Sequence, residues 1–243
     1  MAMRESMKGN FTVGEELSLQ GLEIGRGWMG FQSWSVNQTM GRLREQGRLP
    51  PIDPVTQMAL GVHQVLALAL AAVSAGDRGD IAEARAMVER GGDLRLDDLP
   101  KDSFWLINLA LLAEACTIVD DLGHASQLYA MLEPHKTRPV LVDHGSVCFG
   151  SVARLLGGLA TVLDRFDDAE RHFKRAMEDH TRWGARPALA RTRMNYADML
   201  IRRDALGDRE KARCLLNEAL PAAREMGMIK VAADCEALLA EAV

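Results

Sequence analysis

The feature that most constrains this chain is a short pattern that recurs four times. It is an alanine with an apolar residue three positions before it and another four after it. The copies are Ile81, Ala84 and Val88; Leu122, Ala125 and Tyr129; Phe166, Ala169 and Phe173; and a fourth, Ala212 with Leu216, in which Arg209 takes the first slot. The alanines are separated by 41, 44 and 43 residues. A period in the range of about 20–50 residues marks a stack of similar units, each too small to bury its own apolar face and each covering its neighbour. Stacks of this kind present long surfaces to other molecules.

Within each copy the spacing is helical. Ala169, Phe173, Ala176 and Met177 fall at i, i+4, i+7 and i+8, one apolar stripe. Asp167 with Arg171, Glu170 with Lys174, and Glu178 with Arg182 offer i,i+4 ion pairs on the opposite face. Gly184 stops this helix and Pro187 opens the next. The same punctuation predicts helix pairs over 56–75 and 80–90, 102–119 and 123–132, 147–163 and 167–183, and 188–203 and 208–226, then a last helix over 229–242. The connector 93–101 follows Gly91-Gly92, and 135–143 reads as a loop because of Pro139. Pro221 is expected to kink or break its helix. Gly157-Gly158 weakens its own helix but lets two helices approach closely.

The amino end departs from this plan. One helix is expected over 28–46, with a turn at Gln46-Gly47, after which Pro50, Pro51 and Pro54 block a full second helix. Residues 1–54 therefore read as a partial or degenerate repeat and 55–243 as one continuous helical-repeat domain. No polar cap precedes the partial unit, so the chain is expected to begin mid-array.

Bulk properties narrow the function. A net charge of −5 and a pI near 5.7 exclude a sequence-independent nucleic-acid binder, which needs a basic face for phosphates. The cysteines, Cys116, Cys148, Cys214 and Cys235, are scattered with no C-x-x-C, which points to reduced thiols in a cytoplasmic protein and to no metal site. The apolar run 58–75 is diluted by alanine and interrupted by His63, Gln64 and Ser74, so it reads as a buried repeat helix and not as a membrane span.

Leu156-Gly157, Phe166, Ala169, Phe173 and Ala176 stand at the packing positions of a tetratricopeptide-type helix pair, which the third unit resembles. Thr181 stands where that repeat closes on proline, and the period exceeds the usual length of about 34 residues. A broader likeness rests on Arg42-Leu43-Arg44-Glu45-Gln46-Gly47-Arg48-Leu49, Leu99-Pro100-Lys101-Asp102-Ser103-Phe104-Trp105-Leu106 and Leu128-Tyr129-Ala130-Met131-Leu132-Glu133-Pro134. Gly184-Ala185-Arg186-Pro187-Ala188-Leu189-Ala190-Arg191-Thr192 and Gly207-Asp208-Arg209-Glu210-Lys211-Ala212 complete it. These segments resemble the carboxyl-terminal repeat region of bacterial AAA/STAND-type ATPase regulators, which join a nucleotide-cyclase or DNA-binding module to a central ATPase and include LuxR-type transcriptional regulators. The resemblance implies a sensor arm without catalytic residues, since none of that family's ATPase or cyclase motifs is present here.

Motifs that carry chemistry are weak. Gly25-Arg26-Gly27-Trp28-Met29-Gly30 spells G-x-G-x-x-G, and Leu17 to Ile24 would pass for a preceding strand, but no parallel sheet follows to make a dinucleotide site. There is no phosphate-binding G-x-x-x-x-G-K-[ST], no H-E-x-x-H and no G-x-S-x-G, so no cofactor is implied. His172 and His180 share a helix without further converging ligands, and Asp97-Asp98 and Asp120-Asp121 read as caps and turns. The candidate binding face is basic: Arg182, Arg186, Arg191, Arg193, Arg202 and Arg203, with Asn195 and Tyr196 beside them. Arginines there would clamp a partner's carboxylate or phosphate. The competing reading is a solvated face balanced by Glu178, Asp198 and Asp204. Arg186, Arg191, Arg193, Asn195 and Tyr196 are the partner-binding candidates, and replacing Arg191 and Arg193 by alanine is expected to weaken binding without unfolding the stack.

The expected fold is all-α: a right-handed tetratricopeptide-like α–α superhelix of about four to five helix pairs plus a C-terminal capping helix. The expected function is non-catalytic recognition of a protein, a peptide or a small effector, without direct contact to nucleic acid or membrane. The alternative is a free-standing adaptor or self-associating scaffold that forms a homodimer through its N-terminal unit.

Overall fold

The computed structural model describes residues 1–25, 29–54, 64–92, 96, 99–142 and 145–242. Three helices open the chain: α1 (Ala2–Met7), α2 (Phe11–Ile24) and α3 (Met29–Glu45). Four helix pairs follow: α4 (Gln64–Asp77) with α5 (Ile81–Gly92), α6 (Trp105–Val119) with α7 (Leu122–Leu132), α8 (Val152–Val162) with α9 (Phe166–Trp183), and α10 (Arg186–Arg203) with α11 (Asp208–Glu225). Helix α12 (Ile229–Glu241) ends the stack. Each of α4, α6, α8, α10 and α12 contacts the next, and each intervening helix packs across the pair it separates. This is a tetratricopeptide-like helical solenoid, with four pairs plus a terminal helix among the described residues.

The repeated pattern is the packing code. Ala84, Ala125, Ala169 and Ala212 are all fully buried, because only a methyl group fits where the second helix of a pair touches the first. Val88, Tyr129, Phe173 and Leu216, one turn later, are buried with them. The first slot behaves differently. Ile81 and Leu122 open their helices and lie exposed. Gly157 and Gly158 let neighbouring helices close on α8: a Cβ on Gly157 would meet the Phe173 ring at 2.7 Å, and one on Gly158 would meet Thr117 at 2.9 Å.

Every pair turns through a left-handed residue: Gly79, Asp120, Asp164 and Asp204 have φ of 80°, 50°, 55° and 47°, and the last corner adds Gly207 at 84°. In three of the corners the next residue donates its N–H five positions back, Asp80 to Ala75 at 3.0 Å, Asp121 to Cys116 at 3.0 Å and Arg165 to Ala160 at 2.8 Å. That bond satisfies a carbonyl left open at the helix end. Short aspartate side chains tolerate this conformation better than most residues do. The ion pairs on α9 shift register from those expected. Lys174 meets Glu170 at 2.7 Å, but Arg171 turns to Asp168 and Arg182 to Asp179, three residues away instead of four.

Three expectations are corrected. The segment read as a loop and a helix start is a two-stranded antiparallel hairpin, β1 (Pro139–Val142) with β2 (Val147–Ser151), so the fold is not purely helical. Val140 and Val142 point inward and Leu141 outward, the period of two that a half-buried strand requires. Pro139 begins an edge strand, where its missing N–H breaks no ladder. Helix α8 therefore starts at Val152, capped by Ser151, whose Oγ accepts from the Ala153 N–H at 3.2 Å. Of the kink or break expected at Pro221, the break is not found: α11 runs on to Glu225 with Pro221 inside it. The amino end forms three helices instead of one, and Leu17 to Ile24, considered as a strand, is helical. The first eight residues of the helix expected over 56–75 lie outside the described residues, as do 93–95 and Asp97-Asp98 of the connector 93–101 and Arg26, Gly27 and Trp28.

The hairpin is locked by a buried histidine. His180 Nε2 accepts from the Ser151 N–H at 2.7 Å, so its hydrogen sits on Nδ1, 3.1 Å from Thr192 Oγ1, which in turn donates to the Ala188 carbonyl at 2.8 Å. Burial, with Arg154 adding to it, pushes the His180 pKa down to about 3. The ring thus stays neutral in the folded chain and takes a proton only in the unfolded one. Stability from this site is full above the unfolded value of 6.5 and declines as pH falls below it, by about 1.4 kcal/mol per pH unit. NMR should find the His180 ring neutral at pH 5, and His180→Gln should flatten the pH dependence of denaturant midpoints between pH 6.5 and 5 relative to the parent chain.

Candidate functional site

Glu114 is the lone charge of α6, an otherwise apolar helix. It sits where α6 faces the interior of the stack and draws three arginines to it. Arg44 of α3 bonds its Oε2, Arg154 of α8 bonds the same oxygen at 3.1 Å, and Arg191 of α10 lies 4.0 Å from Oε1. Glu45 joins the cluster, 2.5 Å from Arg44 and 3.3 Å from Arg191. The Arg44 guanidinium lies over the Phe149 ring of β2, 4.7 Å from its centroid. Burial alone would raise the Glu114 carboxyl, but the three guanidinium groups outweigh it and hold the group well below the usual carboxylate range.

Glu114, Arg154 and Arg191 of this cluster line a groove of about 1140 Å³, part of it open to solvent. Its walls come from the first helix of every pair and from the terminal helix: Gly76 and Asp77, Thr117 and Ile118, Leu155 and Gly158, Met194 and Asn195, Ala237 and Leu238. Ion pairs occupy much of its charge. Arg202 reaches Asp198 at 3.0 Å and Asp120 at 2.6 Å, and Lys230 holds Asp234. Two acceptor atoms in the lining, Asp77 Oδ2 and Asn195 Oδ1, are buried without a hydrogen-bond partner. Burial raises the Asp77 pKa, and Arg191 and Arg44 oppose that rise.

The basic candidates do not form one face. Arg191 and Asn195 line the groove, with Asp198 and Arg202, at i, i+4, i+7 and i+11 of α10. Arg193 turns the other way and pairs with Glu218 of α11 at 2.5 Å. Tyr196 is buried, stacked on Phe173 with ring centroids 5.7 Å apart, and donates its hydroxyl to Glu170 at 2.7 Å. Arg186 stands exposed near the end of α11, 2.7 Å from Glu225. Arg203 is held by Glu170 and Asp208, and Arg182 by Asp179. Arg191 is itself buried, so replacing it by alanine acts on the stack and does not merely trim a contact surface. Glu114, Arg154 and Asp77 were missed from sequence. The signal was a single charge in an apolar helix, Glu114 in α6 and Arg154 in α8, each of which must find a partner to be buried.

The tetratricopeptide repeat family matches residues 150–225, which span α8 to α11. No curated protein and no solved structure matches the chain. Tetratricopeptide repeats generally serve as non-catalytic protein-interaction units. Among the described residues no helix is long and apolar enough to cross a membrane.

Removing one member of a buried charge cluster strands the rest. Glu114→Ala should cost about 3–5 kcal/mol in chemical denaturation. Because the Glu114 pKa is depressed by folding, its stabilisation is full above the unfolded value of 4.5 and is lost as pH falls below it. The acid limb of the stability curve should therefore be shallower in Glu114→Ala than in the parent chain.

Proposed function

We propose that this chain is a cytoplasmic recognition module whose groove takes a protein or peptide segment, or a small effector, and that it serves as the regulatory arm of a bacterial signalling ATPase or transcriptional regulator. The observation that carries this reading is that all five inward helices contribute side chains to one groove with buried, unpartnered acceptors in its lining. A ligand that fills such a groove touches every unit at once. It would bias the curvature of the stack if it fits one curvature better than another. The regulatory placement rests on the resemblance of the segments around 42–49, 99–106, 128–134, 184–192 and 207–212 to the repeat arms of those ATPases.

The self-associating adaptor is the second reading. Helix α1 packs on α10 and β2, and α3 packs on β2. The Ile229 N–H also bonds the Gln46 carbonyl at 3.1 Å. The N-terminal unit thus spends part of its surface on its own stack, which favours the groove over pairing of two copies.

A photo-crosslinking residue at Met194, introduced in the native cells, should capture the partner from within the groove. With that partner purified, Asn195→Ala combined with Met194→Glu should weaken binding at least about tenfold, or about 1.4 kcal/mol, while the helical circular dichroism is kept. If the partner binds the double variant as tightly as the parent chain, the groove is not its site. If it binds through the groove but leaves the ATP turnover of the assembly unchanged, the regulatory placement fails and the adaptor reading stands.

A further inference from the structure

The corner between α6 and α7 carries a second constellation, separate from the groove. Cys116 lies in the last turn of α6, Asp121 is the N-cap of α7, and His124 follows three residues later. One ligand atom from each, the thiol sulfur, a carboxylate oxygen and the imidazole Nδ1, lies within 4.8 Å of the other two. We infer that these three side chains bind a transition-metal dication of the zinc class through one thiolate, one carboxylate and one imidazole, with water in the fourth position.

The backbone fixes two of the three before any ion arrives. The Asp121 N–H donates to the Cys116 carbonyl at 3.0 Å, and Asp121 Oδ1 accepts the Gly123 N–H at 2.9 Å. That leaves Oδ2 aimed at the other two groups. It receives the Cys116 thiol at 3.7 Å and bonds His124 Nδ1. A tetrahedral zinc ion with usual bond lengths would place its sulfur and oxygen ligands about 3.6 Å apart, so this edge of the tetrahedron is already formed. The oxygen–nitrogen edge must open by less than about 1 Å from hydrogen-bonding distance to a tetrahedral spacing. His124 is the member free to make that move, because its side chain is a quarter exposed, at 26%.

The donor set selects the ion. Calcium and magnesium call for oxygen-only shells, whereas mixed sulfur, nitrogen and oxygen donors suit zinc and cobalt(II). On binding, one net proton is released: the thiol proton leaves to solvent, and the neutral imidazole carries its single hydrogen on Nε2 so that the Nδ1 lone pair faces the ion. A nucleophilic role for the same trio is disfavoured, since Cys116 is fully buried and its thiol points at the carboxylate and not at the histidine. The bound ion would clip the end of α6 to the start of α7 across the left-handed Asp120 and stiffen the second unit.

The test is titration of the full chain with cobalt(II), in a Cys214→Ser background because Cys214 is an exposed thiol. One equivalent should produce a thiolate-to-cobalt charge-transfer band and the visible bands of a tetrahedral ion, both displaced by zinc. Cys116→Ser should abolish the charge-transfer band. His124→Asn and Asp121→Asn should weaken binding at least about tenfold. Asparagine at 121 keeps an N-cap acceptor, so these two variants carry the test if Cys116→Ser fails to fold. Absence of stoichiometric binding, or binding that persists unchanged in His124→Asn and Asp121→Asn, would overturn the assignment.

Discussion

Glu114 is the residue around which the molecule is arranged. A carboxylate in the middle of an apolar helix cannot be buried alone, because the cost of taking it out of water far exceeds what packing returns. Its partners come from three other elements, Arg44 on α3, Arg154 on α8 and Arg191 on α10. Satisfying one charge therefore fixes the spacing of three inward helices and draws the N-terminal helices back onto the stack. The net stability gained from such a cluster is small beside that of the apolar core. What it contributes is geometry, since every member is stranded if another moves.

The groove follows from that geometry. Each inward helix turns some of its side chains to one side, and the repeated alanines hold the outward helices tight behind them. On α10 the helical period sorts neighbours in sequence onto opposite faces. Arg191, Asn195, Asp198 and Arg202 look into the groove, whereas Arg193, Tyr196 and Arg203 meet α9 and α11. A cluster of arginines in sequence is thus two different things in space: part of the lining of a groove, and part of a lattice of ion pairs between adjacent helices.

Much of the fold was legible because it is written locally and repeated. The alanine pattern and the helix stops at Gly91-Gly92 and Gly184 are short-range signals, and each recurs often enough to be read. The hairpin was not legible because Pro139 speaks for a loop when strand position is unknown, and only pairing with β2 makes it an edge residue. Of the five partner-binding candidates, Arg191 and Asn195 reach the groove. Arg186, Arg193 and Tyr196 lie elsewhere, and the 3.6-residue period applied to α10 would have separated Arg193 and Tyr196 from the other two.

The sequence by itself determined the architecture: a period of 41 to 44 residues, helical stripes and small residues at each crossing leave few ways to bury the apolar faces except stacking. Tertiary structure alone decided which polar residues share a site. Glu45 and Arg191 are 146 positions apart in the chain, yet they meet at 3.3 Å. Such a contact depends on how far the stack curves, and curvature is the sum of small rotations at every interface. No local pattern encodes that sum, so the site appears only once the helices are assembled.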